Sequence, residues 1–150
     1  MYHAVVRRLV RRSFDALSRG DYAVALNGVA GDVHHVFAGD HPLGGERHTE
    51  AGLRRWFERL YRLFPRLEFD TKTIMVEGWP WNVRVAAEWV ARVTPQEGEP
   101  YMNRGVHLIR IQRGRVTAIH AYEDSQRVAE ACREMAARGV EEAAAPPITG

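Results

Sequence analysis

Cysteine is almost missing from this chain of 150 residues, which has only Cys132. One thiol can form neither an intrachain disulfide nor an all-cysteine metal site. Lysine is as scarce, since Lys72 stands alone among 21 basic residues and the rest are arginine. No run approaches the ~18 apolar residues needed to cross a bilayer. The opening Met1-Tyr2-His3-Ala4-Val5-Val6-Arg7-Arg8 carries no apolar stretch behind a basic start, so no secretory leader is expected. Cytoplasmic residence follows as the expectation. Also lacking are a Walker phosphate loop, a Rossmann glycine fingerprint, a His-Glu-x-x-His helix and paired-cysteine zinc spacing. There is no Gly-x-Ser-x-Gly nucleophile elbow. These absences point to a site that works with no cofactor and no metal.

What is present suits one globular domain: 45% of residues are hydrophobic, enough for one buried core. The net charge of +2 is mildly basic. Arginine favours bidentate contacts to carboxylate and phosphate. Here the arginines are scattered along the chain among acids, whereas a nucleic-acid binder clusters them in a patch. Neither a nucleic-acid nor a membrane partner is expected.

Val6, Val10, Phe14 and Leu17 recur at helical spacing, which predicts a first helix over 3–19, with Arg7, Arg8, Arg11 and Arg12 on its wet face. Gly20 fits its C-terminal cap, and Asp21 fits the N-cap of a short second helix. Residues 32–38 read as a strand, followed by an irregular run, Gly39-Asp40-His41-Pro42-Leu43-Gly44-Gly45. Thr49 caps a third helix with Leu53, Trp56, Phe57, Leu60, Leu63 and Phe64 on one stripe, and Pro65 ends it. Strands are predicted over 67–77, 83–93, 101–112 and 115–122, with Val83, Val85, Ala87, Trp89, Ala91 and Val93 sharing one face. Asp124 or Ser125 opens the last helix, whose apolar stripe includes Cys132 as inert packing. Short hairpins between the late strands predict an antiparallel sheet with helices over one face.

Two segments carry a resemblance. Val33 to Gly45 ends in a Gly-x-x-Pro-Leu-x-Gly pattern ahead of the third helix, and Gly114-Arg115-Val116 with Tyr122-Glu123-Asp124 resembles a closing "Gly-Lys-Ile … Tyr-x-Asp" hairpin. Together with the element order, these resemble SnoaL-like proteins of the NTF2-like superfamily over roughly residues 3 to 137. The resemblance implies an α+β, cystatin-like cone: a curved antiparallel sheet wrapped around a long helix, enclosing a pocket. One such domain is expected at 1–140, and Glu141 to Gly150, with its Ala-Ala-Ala-Pro-Pro run, reads as a flexible tail. The resemblance also implies a homodimer through the open sheet face, where Arg84, Glu88, Arg92, Arg104 and Arg110 lie. The superfamily includes ketosteroid isomerase-like and polyketide cyclase-like enzymes, epoxide hydrolases and dehydratases, as well as pockets without known chemistry. Fold alone does not choose among them.

The candidate site residues are polar groups on inward parities. His41 precedes Pro42 where ketosteroid isomerase-like relatives carry a catalytic aspartate, and a histidine can serve as a base near neutral pH. The bland alternative is a turn. His34 and His35 point to opposite faces, so they cannot chelate one metal together; His35 shares its face with Val33 and Phe37 and is placed inward. His107 and Asn103 share the inward face of their strand, either as pocket groups or as a buried polar pair. His120, Tyr122 and Asp124 share a parity on the last strand. Asp124 is then either a carboxylate at the pocket floor or a helix cap. Trp56 adds an apolar wall. The catalytic candidates are thus His41, Asp124 and His107. The substrate-binding candidates are His35, Asn103, Tyr122, His120 and Trp56. The expected activity is cofactor-independent acid–base chemistry on a small hydrophobic molecule, of isomerase, polyketide cyclase or hydratase/dehydratase type. The alternative is a non-catalytic ligand-binding or dimerisation module.

Overall fold

The computed structural model describes residues 1–150. Helix α1 (Tyr2–Ser18) buries Val6, Val10 and Phe14, one residue per turn, and leaves its arginines outward. Gly20 takes the positive φ of 77° that its place after the helix requires. Helix α2 (Ala23–Asn27) starts one residue later than expected: Tyr22 holds the N-cap position and no side chain caps it, so Asp21 does not play that role. In α3 (Glu50–Leu63) the Thr49 hydroxyl does accept the Gly52 N–H, and Leu53, Trp56, Phe57, Leu60 and Leu63 are buried. Each such side chain contributes about 1.5–3 kcal/mol on burial. That stripe therefore fastens α3 into the concave side of the sheet.

The sheet has six strands: β1 (Val29–Phe37), β2 (Gly45–Arg47), β3 (Arg66–Trp79), β4 (Asn82–Thr94), β5 (Tyr101–Gln112) and β6 (Arg115–Glu123), in the spatial order β2-β1-β6-β5-β4-β3. Strand β4 shows the alternation expected of it, with Val83, Val85, Ala87, Trp89, Ala91 and Val93 all buried. Two features differ from expectation. The three-residue β2 starts at Gly45, the last residue of the run read as irregular, where no strand was expected, and β1 pairs with β6 in parallel, so the sheet is mixed rather than wholly antiparallel. A parallel pair needs a long crossover, and here everything from β2 to β5 supplies it.

Register shifts bend the sheet at Thr71/Ile74 in β3 and opposite Arg110/Ile111 in β6. Bulges of this kind increase local twist and close a sheet into a cone. Helix α4 (Ser125–Ala137) closes one end with Val128, Ala131, Cys132 and Met135. Residues 141–150, expected to be loose, are laid along α3. Arg59 and Arg62 pair with Glu142, Arg59 also binds the Pro146 carbonyl, and Arg55 binds that of Thr149. No helix is long and apolar enough to cross a membrane.

Candidate active site

The concave face of the sheet, α1 and α3 enclose a cavity of about 140 Å³, with 21 of its 26 lining residues hydrophobic. Phe14 from α1, Trp56 and Leu60 from α3, and Phe69 and Trp89 from the sheet form its walls. Few polar groups interrupt them: Ser13, His35, Asn103, His107 and Glu123.

His107 sits on β5 beside Trp89 of β4. The Trp89 indole N–H donates to His107 Nδ1 at 2.8 Å. An indole nitrogen only donates, so the imidazole carries its own proton on Nε2. Burial lowers the His107 pKa to about 4, so the ring is neutral at pH 7. His35 on β1 is built the same way. Its Nδ1 accepts from Arg47 Nε at 3.0 Å, an obligate donor, which leaves the proton on Nε2. Burial, and then the Arg47 charge, hold the His35 pKa well below its ordinary value. Two neutral imidazoles thus line one cavity, each with Nε2–H as its remaining donor.

The His107 shift has a consequence for stability. The folded ring resists protonation down to about pH 4, while the unfolded ring titrates near 6.5. Between those values the unfolded state binds more protons, so stability falls as pH drops through this window. Across that whole window the difference is worth about 3 kcal/mol. Urea denaturation at pH 7.5 and pH 4.5 is expected to show a smaller loss for His107→Gln than for the unchanged protein. Equal losses would contradict the assigned state.

Glu123, at the end of β6, is the group that sequence reasoning missed. Its side chain is 1% exposed, and neither carboxyl oxygen has a hydrogen-bond partner. It lines the cavity. Burial raises its pKa, only partly opposed by His41, whose Nε2 stands 3.9 Å from Oε1. That is too long for a hydrogen bond. Buried polar groups in native proteins almost always have partners, so a carboxyl with none at a cavity wall stands apart from the other polar groups of the site.

The reason it was missed is the β6 bulge. Arg110 pairs with Ala118 but Ile111 pairs with Val116, so Thr117 is an extra residue. Val116 lines the cavity, and a regular strand would carry Ala118, His120, Tyr122 and Asp124 inward with it. The inserted residue flips the parity. Ile119 and Glu123 line the cavity instead, with buried Ala121 between them. Tyr122 is 48% exposed on the outer face. His120 also faces outward, with Nε2 at 3.3 Å from His34 Nδ1. Asp124 stands at the N-cap position of α4 without capping it through its side chain, half-exposed, with Arg127 Nε at 3.6 Å. None of these three borders the cavity.

The other candidates are buried but committed. His41 Nδ1 accepts from the Leu43 N–H at 3.2 Å, and its Nε2 donates to the Ala38 carbonyl at 2.9 Å. It therefore ties the 38–43 loop together and stands behind Glu123 without bordering the cavity. Asn103 borders the cavity, yet its Oδ1 accepts from the N–H groups of Arg104 and Asp124 and its Nδ2 donates to the Asp124 carbonyl. It fastens β5 to the start of α4 and so fixes the backbone next to Glu123. Trp56 forms a wall, and its indole N–H donates to the Leu43 carbonyl at 2.7 Å.

Arg47 was also missed. It is fully buried and makes four hydrogen bonds: to His35, to the Gly44 and Gly45 carbonyls, and to the Ile148 carbonyl. Its guanidinium lies 5.7 Å from the Trp56 ring centre. Burial brings its pKa down to about 10, so it stays charged at pH 7.

Residues 10–119 match the SnoaL-like domain family. The chain belongs to that family. No curated protein matches it. Among solved structures, this SnoaL-like protein is similar to an NTF2-like protein of unknown function from Burkholderia pseudomallei, with 21% identity, a TM-score of 0.72, and coverage of 83% of this chain and 94% of the other. It is also similar to TerC, co-crystallised with polyporic acid, at 19% identity and a TM-score of 0.71, covering 82% and 94%. A third is a protein of Jannaschia provisionally named a SnoaL-like polyketide cyclase, at 22% identity and a TM-score of 0.64, covering 83% and 88%. At such identities the likeness establishes an NTF2-like fold.

Proposed function

We propose that this SnoaL-like protein is a cofactor-independent acid–base enzyme acting on a small, largely apolar molecule, of isomerase, cyclase or hydratase/dehydratase type. The observation that carries the reading is Glu123, a buried carboxyl with both oxygens unpartnered at the wall of an apolar cavity. Its raised pKa makes it a stronger base than an exposed glutamate and brings it nearer the working pH. The cavity of about 140 Å³ limits the enclosed part of the ligand to roughly one six-membered ring, since an apolar void of about 150 Å³ holds benzene.

The chemistry these groups support is proton abstraction beside a carbonyl. Glu123 takes the proton from carbon, and the electron pair moves onto the carbonyl oxygen as an enolate. The Nε2–H groups of His35 and His107 donate to that oxygen, as neutral donors in a low-dielectric site. The protonated Glu123 then returns its proton to carbon or to a leaving hydroxyl, which completes isomerisation or dehydration. Ring closure follows if the enolate attacks a second carbonyl instead. TerC with its polyporic acid, and the provisional cyclase name of the Jannaschia protein, support a substrate of this general kind.

The test does not require the substrate to be known. A panel of small cyclic ketones and hydroxyaromatic ketones is incubated with the protein in D₂O, and exchange of α C–H groups is followed by NMR. Protein-dependent exchange in at least one compound is expected. No exchange across the panel, with binding of the same compounds demonstrated, would contradict catalysis and favour a binding role.

A second reading concerns the outer sheet face. Met75, Leu108 and Tyr122 are exposed there, with Met102, and Trp79 and Trp81 stack at the β3–β4 hairpin. An apolar row of that kind suits a second copy of the chain. Light scattering is expected to give a dimer mass, and a monomer at all concentrations would argue against it.

A further inference from the structure

We infer that the outer face of β1 and β2 is a binding site for one transition-metal ion of the Zn²⁺ class, held by His34, Glu46 and His48. The site lies on the face of the sheet opposite the cavity and does not rest on the proposed reaction.

Three of the chain's seven histidines meet here: His34, His48 and His120. Strand pairing brings them together. His35 pairs with Arg47 and Val36 with Glu46, so the next step of the register sets His34 opposite His48. Alternation then turns His35 and Arg47 inward and His34, Glu46 and His48 outward. Directly opposed and diagonal residues are the side chains that touch across a sheet. The sequence alone showed none of this, because β2 exists only through its pairing with β1.

The side chains carry the pattern further. One ligating atom from each of His34, Glu46 and His48 lies within 4.8 Å of the other two. The His34 and His48 rings stack at 4.8 Å, nearly parallel, so their edges can turn to one side together. Ligand atoms around a tetrahedral Zn²⁺, each ~2.0–2.1 Å from the metal, stand roughly 3.3 Å apart. Exposed side chains close that difference by small rotations. Without metal, His34 Nε2 donates to Glu46 at 2.7 Å, and its Nδ1 accepts from His120 Nε2 at 3.3 Å. A metal ion takes the place of the Nε2 proton, and the neutral His34 ring then carries its proton on Nδ1, which donates to His120 Nε2. His120, as that acceptor, fixes the orientation of the His34 ring behind the metal. Two imidazoles and one carboxylate suit Zn²⁺, Ni²⁺ or Cu²⁺; Mg²⁺ and Ca²⁺ require oxygen-rich sites.

Chelator-treated protein is titrated with ZnCl₂ in competition with a chromophoric chelator. The variants His48→Ala, Glu46→Ala and His3→Ala are run beside it, with circular dichroism to verify folding. The expected result is one Zn²⁺ per chain, unaffected by excess Mg²⁺. Affinity is expected to be about tenfold or more weaker in His48→Ala and in Glu46→Ala, and unchanged in His3→Ala. Because His48 and Glu46 are exposed, both variants should fold. No zinc binding by the unchanged protein, or equal affinity in all four proteins, would overturn the site.

Discussion

Glu123→Gln is expected to lower turnover by about 10²–10⁴-fold, the range associated with loss of a general acid–base group, while ligand binding persists. Glutamine keeps the volume and removes the ionisable proton, so the change isolates chemistry from packing. A second consequence has the opposite sign. Burial raises the Glu123 pKa in the folded state, so the folded protein holds a proton that the unfolded chain gives up. The associated stability is complete below the ordinary glutamate range and is lost as pH rises through the raised folded value. The glutamine variant has no such penalty. Its melting temperature relative to the unchanged protein is expected to rise between pH 5 and pH 8. A variant less active and also less stable at both pH values would indicate a merely structural carboxyl. A variant fully active would remove Glu123 from the reaction.

Arg47→Met is expected to be the most destabilising single change in the site, costing about 3–5 kcal/mol. Three backbone carbonyls, those of Gly44, Gly45 and Ile148, lose their donor, as does His35 Nδ1. Each buried group left without a partner costs about 1–3 kcal/mol, partly offset because methionine avoids the cost of burying a charge. The melting temperature should fall by about 10–15 °C, at the ~2–4 °C per kcal/mol usual for a chain of this length. Arg84→Met provides the comparison. Arg84 is exposed and pairs with Glu77 on the surface, where substitutions usually cost no more than about 0.5 kcal/mol. If the two variants melted together, Arg47 would not hold the β1–β2 edge. Loss of Arg47 also frees the His35 tautomer, because the guanidinium N–H is what fixes the proton on Nε2.

Most of the framework was legible because it obeys simple periods. Val6, Val10 and Phe14 in α1, the Leu53-to-Leu63 stripe in α3 and the strict alternation of β4 are local patterns. Each is set by one face meeting the core. His35 and His107 were placed inward by the same rule. The failures have other causes. Strand β2, only Gly45-Glu46-Arg47, has no period to detect, and the parallel β1–β6 pair joins segments far apart in sequence. Glu123 was hidden by one extra residue, Thr117, which turned His120 and Tyr122 outward. Arg47 breaks the general rule that arginine stays at the surface, and only its set of acceptors explains its burial. The site thus depends on a bulge and on a long-range strand pair, the two features that single-strand patterning does not encode.

An unpartnered carboxyl poised by burial to exchange a proton with a bound molecule has its own titration signature. A ¹³C NMR titration of the Glu123 side-chain carboxyl, assigned by its disappearance in Glu123→Gln, reads that signature. A midpoint clearly above the ordinary glutamate value of 4.5 is expected, together with a shift of that midpoint when a cavity ligand is added. A midpoint at or below 4.5, unchanged by ligand, would mean that the carboxyl is solvated or already paired, and would contradict its role as the base.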